Sequence, residues 1–380
     1  MSLRVLFIND DESVLAGLRA SLRRHRRRWV MHFLGGLEAE QRVEVDQYDV
    51  VVVDVVLRER DGLSLLKRIA EVQPGAVRVV LSGNVDPQGA MRAIPFAHQY
   101  LSMPCEPMEL IGRIERSESL RSLLSEERIQ VLGAMRDLPT PSRLYWQLRD
   151  ALLDPDIEIS EVAELVERDP AMSAKILQLV NSAFFSRVRR ITNVRDAVSF
   201  LGLSLLQGLV LQIGLFGAME DRLSGMSLEE ASQHGLTVAT AARRIADRDC
   251  ADAAFTSGLL HDVGKLLLAV QFGARYAEIM ATARRCGESL MALEQSRLGV
   301  THPEAGAYLL GVWGLPDVVV EGVAWHHEPR RIPHTQVDAV VAVHLADAIV
   351  AVQPVDERLV LELGLERSVK KWRGQFEEAA

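Results

Sequence analysis

The chain has 380 residues, 48% of them apolar and 25% charged, with a formal charge of −9. That composition is ordinary for a globular protein with room for two or three separate cores, and its acidic balance excludes a general nucleic-acid binder. Three cysteines, Cys105, Cys250 and Cys286, fall at unrelated spacings, which excludes a readable disulfide framework and points to a reducing compartment. The N-terminal apolar run is too short for a secretion signal and no stretch reads as a bilayer span, so a cytoplasmic protein without membrane attachment is expected.

"RVLFIND" (4–10) and "YDVVVVDVV" (48–56) are short β-branched runs ending in acidic residues. "VRVVLSG" (77–83) is a third such run and "HQYLSM" (98–103) a weaker fourth, with amphipathic stretches such as "DGLSLLKRIAEV" between them. Strands alternating with helices predict an α/β, doubly wound parallel sheet, in which ligands bind at the carboxyl ends of the strands. Those ends carry Asp10, Asp11, Asp54 and Ser82. The basic run "RASLRRHRRRW" (19–29) has helical spacing and reads as a solvated face.

From residue 117 onward the periodicity turns helical. "SLRSLLSEERIQVLGAMRDL" reads as a connecting helix that "LPTPSR" ends. "SEVAELVERDP", "AMSAKILQLVNSAFF", "VRDAVSFLGLSLLQGLVLQIGL" and "ASQHGLTVATAARRIA" follow. They predict an all-α domain of roughly ten helices.

Two sets of residues carry chemistry. Adjacent Asp10 and Asp11 at one strand end and Asp54 at another can form an oxygen cage for Mg²⁺, which makes Asp54 a nucleophile toward a phosphodonor. In "GLLHDVGKLLL" a histidine, an aspartate and a lysine interrupt an apolar run, and on one helix His261 and Lys265 would be four apart. Gly264 lets another backbone or a ligand approach closely. His234, His302, His326, His327 and Asp347 extend the set. Such a roster of imidazoles and carboxylates can hold one or two divalent ions, with Lys265 on a phosphate.

Over residues 1–120 the chain resembles a response-regulator receiver domain of the CheY-like, flavodoxin-like fold, through "INDDE", "VVVDVVLRERDGLSLL", "VLSG" and "YLSMP". The resemblance implies Asp10, Asp11 and Asp54 around Mg²⁺, Asp54 as phosphoacceptor, Ser82 as the hydroxyl that senses the phosphoryl group and Tyr100 as the switch aromatic. Two positions depart from the family. Met103 stands where a lysine precedes the proline, and Arg58 where a proline follows the acceptor by four. Met103 offers neither charge nor donor, so weakened coupling between phosphorylation and switching is expected.

Residues 138–350 resemble the HDOD branch of the HD superfamily of metal-dependent phosphohydrolases. The resemblance rests on "LPTPSRLYWQL", "VAELVERDPAMSAKILQLVNSAFF", "ITNVRDAVSFLG", "GLLHDVGKLLL" and "WGLPDVVVEGVAWHHEP". It implies His234, His261, Asp262, His302, His326, His327 and Asp347 as ligands of a divalent metal, Mn, Fe or Mg. HDOD domains are generally regulatory relatives. The Gly-Tyr-Pro triplet of the cyclic-di-GMP phosphodiesterases is replaced after the histidine pair by "HHEPRRIPH".

The expected organisation is a receiver at 1–120, a linker helix at 121–137, an HDOD domain at 138–350 and a helical tail at 351–380. The expected function is that of a two-component response regulator. A sensor histidine kinase or small phosphodonor phosphorylates Asp54, and the HDOD output acts by binding a protein or ligand. A downstream protein partner, no direct DNA binding and a homodimer complete the expectation. The alternatives are a receiver-regulated phosphohydrolase acting on a nucleotide or cyclic dinucleotide, with Lys265 in its catalytic set, and a phosphorylation-independent scaffold.

Overall fold

The computed structural model describes residues 2–54, 56–58, 61–83, 96–103, 107–135, 143–151, 154, 156–168, 172–173, 176–177, 191–203, 206, 209–210 and 222–377. The "LPTP" turn and the "NSAFF" part of the HDOD-like motif fall outside them. The chain divides into two units, Met1–Thr140 with Tyr308–Asp317, and Pro141–Ala307 with Val318–Ala380.

The first unit contains β1 (Leu3–Ile8), α1 (Glu12–Ser21), β2 (Trp29–Leu34), α2 (Gly36–Arg42), β3 (Val50–Asp54), α3 (Gly62–Val72), β4 (Val77–Gly83), β5 (Gln99–Met103), α4 (Pro107–Leu123) and α5 (Glu126–Gly133). The sheet has five parallel strands in the order β2-β1-β3-β4-β5. Val50 to Val53 are all fully buried, as expected for a central strand covered on both faces, and this is why β3 reads as an unbroken apolar run. Register sets Ile8 beside Val53 and Asp54 beside Leu81, so the acidic residues that follow β1 and end β3 share the carboxyl edge. One face of the sheet packs Leu6, Ile8, Val51 and Val53 against Leu65, Leu66 and Ile69 of α3.

Two expectations for this unit are corrected. The basic run is not one helical face: α1 stops at Ser21, a short 3₁₀ turn spans Arg23–Arg27, and a fifth strand begins at Trp29. The connecting helix is two helices, because the Ser125 hydroxyl caps the N-terminus of α5 and restarts the ladder.

The second unit contains α6 (Arg143–Ala151), α7 (Ile159–Glu167), α8 (Val194–Leu201), α9 (Leu228–Ile245), α10 (Ala251–Leu260), α11 (Val263–Phe272), α12 (Ala274–Cys286) and α13 (Leu290–Leu298). Then come α14 (His302–Val312), whose last turn lies in the first unit, α15 (Asp317–Ala324), α16 (Ala339–Val350), α17 (Glu357–Glu362) and α18 (Glu366–Glu377). A core forms where Val238, Ala241, Ala242 and Ile245 of α9 meet Val341, Ala342, Val343, Leu345, Ala346 and Ile349 of α16. Because α16 is apolar nearly all round, it is buried on every side. The tail belongs to this core: Val369, Trp372 and Phe376 of α18 pack on the same cluster. The stretch Arg248–Phe272 is long and apolar enough to cross a membrane by length and composition, contrary to the sequence reading; 78% of its apolar window lies buried inside the structure, as in a core helix.

Candidate metal centre and acidic pocket

In the first unit Asp10 and Asp11 follow β1 and Asp54 ends β3. Backbone donors hold them in place. Asp10 accepts from Gly36 N (2.8 Å) and Arg58 N (2.6 Å), Asp54 from Val56 N (2.8 Å) and Asn9 Nδ2 (3.0 Å). Asp11 caps α1 through the Ser13 N–H (2.8 Å) and faces Arg58 Nη2 at 3.4 Å. Its carboxyl is held below the usual range first by the Ser13 hydrogen bonds, with Arg58 adding to them, whereas burial pushes Asp54 up. Arg58 thus supplies a backbone donor that a proline there would lack. Ser82, Tyr100 and Met103 lie on β4 and β5, and their side chains fall outside the described residues.

In the second unit the helix through "GLLHDVGKLLL" is broken, not continuous: α10 ends at Leu260 and α11 starts at Val263. His261 and Asp262 occupy the joint, so both point at the same centre as Lys265. The fold brings all seven expected ligands there, from α9 (His234), this joint, the start of α14 (His302), the turn after α15 (His326, His327) and α16 (Asp347). Asp262 sits at the middle. Its Oδ2 lies 3.5 Å from His261 Nε2 and 3.9 Å from His234 Nε2; its Oδ1 lies 3.7 Å from His302 Nε2 and 4.0 Å from His326 Nε2. Asp347 Oδ1 is 3.2 Å from His234 Nε2 and 3.6 Å from His261 Nε2. Donor atoms gather in overlapping groups, His302–His326–His327, His234–His261–Asp262 and His261–His326–Asp347, each within 4.8 Å.

The imidazoles are oriented from outside. Nδ1 of His261 donates to Gly258 O and Nδ1 of His326 to Val323 O, both at 2.7 Å, and Nδ1 of His302 donates to Glu294 Oε2 at 2.8 Å. Carbonyl and carboxylate oxygens only accept, so each ring carries a hydrogen on Nδ1 and turns its Nε2 inward, where that of His302 lies 3.1 Å from His327 Nε2. Nε2 of His261, Nε2 of His326 and Oδ1 of Asp262 are buried without a hydrogen-bond partner. The centre attracts positive charge: burial would lower His261, but Asp262 and Asp347 carry its imidazole up to about 10. Burial and the neighbouring imidazoles hold His326 well below its ordinary range and His327 down to about 3.

Lys265 is paired: its Nζ donates to Asp262 Oδ2 at 2.6 Å. Gly264 serves a backbone approach, since a Cβ there would overlap the His302 carbonyl and lie 2.7 Å from Gly306 N. A cavity of about 890 Å³ opens on the centre, floored by Asp262, Lys265, His302 and His327 and walled by Met226, Met280, Met291 and Arg284. Two supporting residues escaped the sequence reading. Glu294 is fully buried behind His302, and its signal was a carboxylate spaced four from Leu290 and four from Leu298. His344, one turn before Asp347, donates to the His326 carbonyl at 2.8 Å.

A fold of this kind, a parallel receiver-like sheet and a helical unit around a His/Asp centre, defines a class, and comparison with known proteins agrees. Residues 138–329 match the HDOD domain family and residues 5–115 the response regulator receiver domain family. The chain belongs to the HDOD family and is a response regulator with an HDOD output domain. An uncharacterized protein of Treponema pallidum is 24% identical over 224 residues, 58% of this chain and 43% of its own length. The chain therefore spans less than half of that relative. The response regulator receiver protein CpdR of Brucella abortus is 26% identical over 119 residues, 30% of this chain and 94% of that protein. The crystal structure of an HDOD domain protein of unknown function from Geobacter sulfurreducens matches with a TM-score of 0.53 at 25% identity, covering 67% of this chain and 89% of its own.

Proposed function

We propose that phosphorylation of Asp54, with Mg²⁺ held by Asp10, Asp11 and Asp54, regulates an HDOD domain that binds one or two divalent ions and, through them, an anionic ligand. The phosphodonor is a sensor histidine kinase or a small phosphorylated molecule, and the output passes to a downstream protein. The modules are the receiver at 1–120, the linker at 121–137, the HDOD domain at 138–350 and the tail at 351–380. One observation carries the reading of the second unit: His261 and His326 have their Nδ1 hydrogens engaged outward, and their Nε2 atoms, with Oδ1 of Asp262, are buried at one centre without a hydrogen-bond partner. Leaving such acceptors unpaired costs about 1–3 kcal/mol each, whereas a divalent cation satisfies them together. The donor set, nitrogen and carboxylate, fits Mn, Fe or Mg.

Hydrolysis of a phosphoester is the second reading. It is favoured by the 890 Å³ cavity that reaches Lys265 and the same imidazoles. A bound divalent ion would supply Lewis acidity and a lowered water pKa there. Elemental analysis of full-length protein stripped with chelator and reloaded with Mn²⁺ or Fe²⁺ tests the first reading. One or two ions per chain are expected, absent from the His261→Ala, Asp262→Ala double variant. An ion content unchanged in that variant would place the metal elsewhere. Phosphoester turnover that the double variant abolishes would establish the second reading.

A further inference from the structure

We infer that Glu294 is a positioning residue: with Tyr276 behind it, it fixes the tautomer and orientation of His302 as an Nε2 ligand of one half of the centre. Glu294 and Tyr276 are fully buried and His302 almost so. Oε2 of Glu294 accepts both the His302 backbone N–H (2.9 Å) and the His302 Nδ1–H (2.8 Å). Oε1 accepts the Tyr276 hydroxyl at 2.6 Å. Both oxygens of this carboxylate are therefore occupied by donors from α12 and α14, and the group reaches the centre only through the ring of His302.

The other oriented imidazoles differ. His261 and His326 donate to neutral backbone carbonyls three residues upstream. His302 alone among these three rests on a carboxylate. A carboxylate behind an imidazole fixes its tautomer and raises the basicity of the far nitrogen. Glu294 therefore strengthens one subsite, His302–His326–His327, and leaves the subsite formed by His234, His261 and Asp262 unaltered. The backbone bond adds a second lock. Because the same oxygen holds the first amide of α14, the ring cannot swing without that helix start moving too.

The consequence at a metal rests on the reading proposed above, and the experiment separates the two. In chelator-treated, ¹⁵N-labelled full-length protein, long-range ¹H–¹⁵N spectra report which nitrogen of His302 carries hydrogen, with His302→Gln for assignment. Nδ1–H is expected in the wild type and in Glu294→Gln, whose amide oxygen still accepts, and loss of the single tautomer in Glu294→Leu. Calorimetric Mn²⁺ titration follows on the same proteins. Glu294→Gln should weaken one of two ions by about tenfold to a hundredfold and leave the other unchanged. An unfolding midpoint unchanged in the chelated variant would separate this from general damage. Hydrogen on Nε2 of His302 in the wild type, or equal affinities in wild type and Glu294→Gln, overturns the inference. A wild type that binds no ion but keeps the Glu294-dependent tautomer removes the metal reading and leaves the positioning role standing.

Discussion

The acidic pocket and the histidine centre gather acceptor atoms in opposite ways. In the receiver, three aspartates at strand ends have their oxygens taken by backbone N–H groups, Asn9 and Arg58, close to solvent. In the HDOD unit five helices and their joints turn acceptors inward and leave Nε2 of His261 and His326 without a partner. Substituting an aspartate of the first site leaves backbone donors unpaired, whereas substituting a residue of the second removes one of the acceptors gathered at the centre.

The largest expected effect comes from Gly264→Ala. The new methyl would overlap the His302 carbonyl and crowd Gly306 N, so α11 and α14 must separate. Overpacking of this kind costs about 1–3 kcal/mol or more. Thermal unfolding should show the loss, with metal content falling too, while acetyl-phosphate labelling of Asp54 stays intact. Loss of both together would mean that the two sites are not independent.

A smaller effect follows from acidification. His98 is buried, with Nε2 2.7 Å from Nη2 of Arg78, and burial first, then Arg78, holds it well below its ordinary value. The folded protein keeps the ring neutral while the unfolded chain protonates near pH 6.5. Stability from this group is therefore fully present above about pH 6.5 and lost as pH falls, by up to about 1.4 kcal/mol per unit. Unfolding midpoints of His98→Gln and wild type should converge toward acid. Parallel pH profiles would show that His98 titrates normally.

Arg58→Ala should matter least. Its guanidinium and Asp11 are 75% and 42% exposed, and such pairs contribute about 0–1 kcal/mol. Removing that cation should tighten Mg²⁺ binding severalfold at most, measured by calorimetry. Weaker binding would mean that Arg58 organises the pocket rather than competing for it.

β1, β3 and β4 were legible because interior strands are buried on both faces and read as apolar runs, whereas β5, at one edge, gave only a weaker run. β2 was not legible. "WVMHFL" follows an arginine cluster at the sheet edge, and its residues after Trp29 are only partly buried or exposed, so neither alternation nor an apolar run marks it. The seven candidate ligands were legible as residue types in a family-like motif, and the fold brings them to one centre. Glu294 was hidden because its meaning depends on how three helices pack. The break at His261 and Asp262 was hidden because "GLLHDVGKLLL" has the apolar run of a continuous helix.

The α18 helix has a practical consequence for anyone dissecting this protein. The match to the HDOD family ends at residue 329, yet Val369, Trp372 and Phe376 close the core around α16. A fragment cut at the family boundary would lack α16 and Asp347 altogether. One cut after Val350 would remove the Leu359, Val360, Val369, Trp372 and Phe376 side chains that cover the α16 core. A unit that keeps this core closed runs to the end of α18, well past residue 329, where the family match ends.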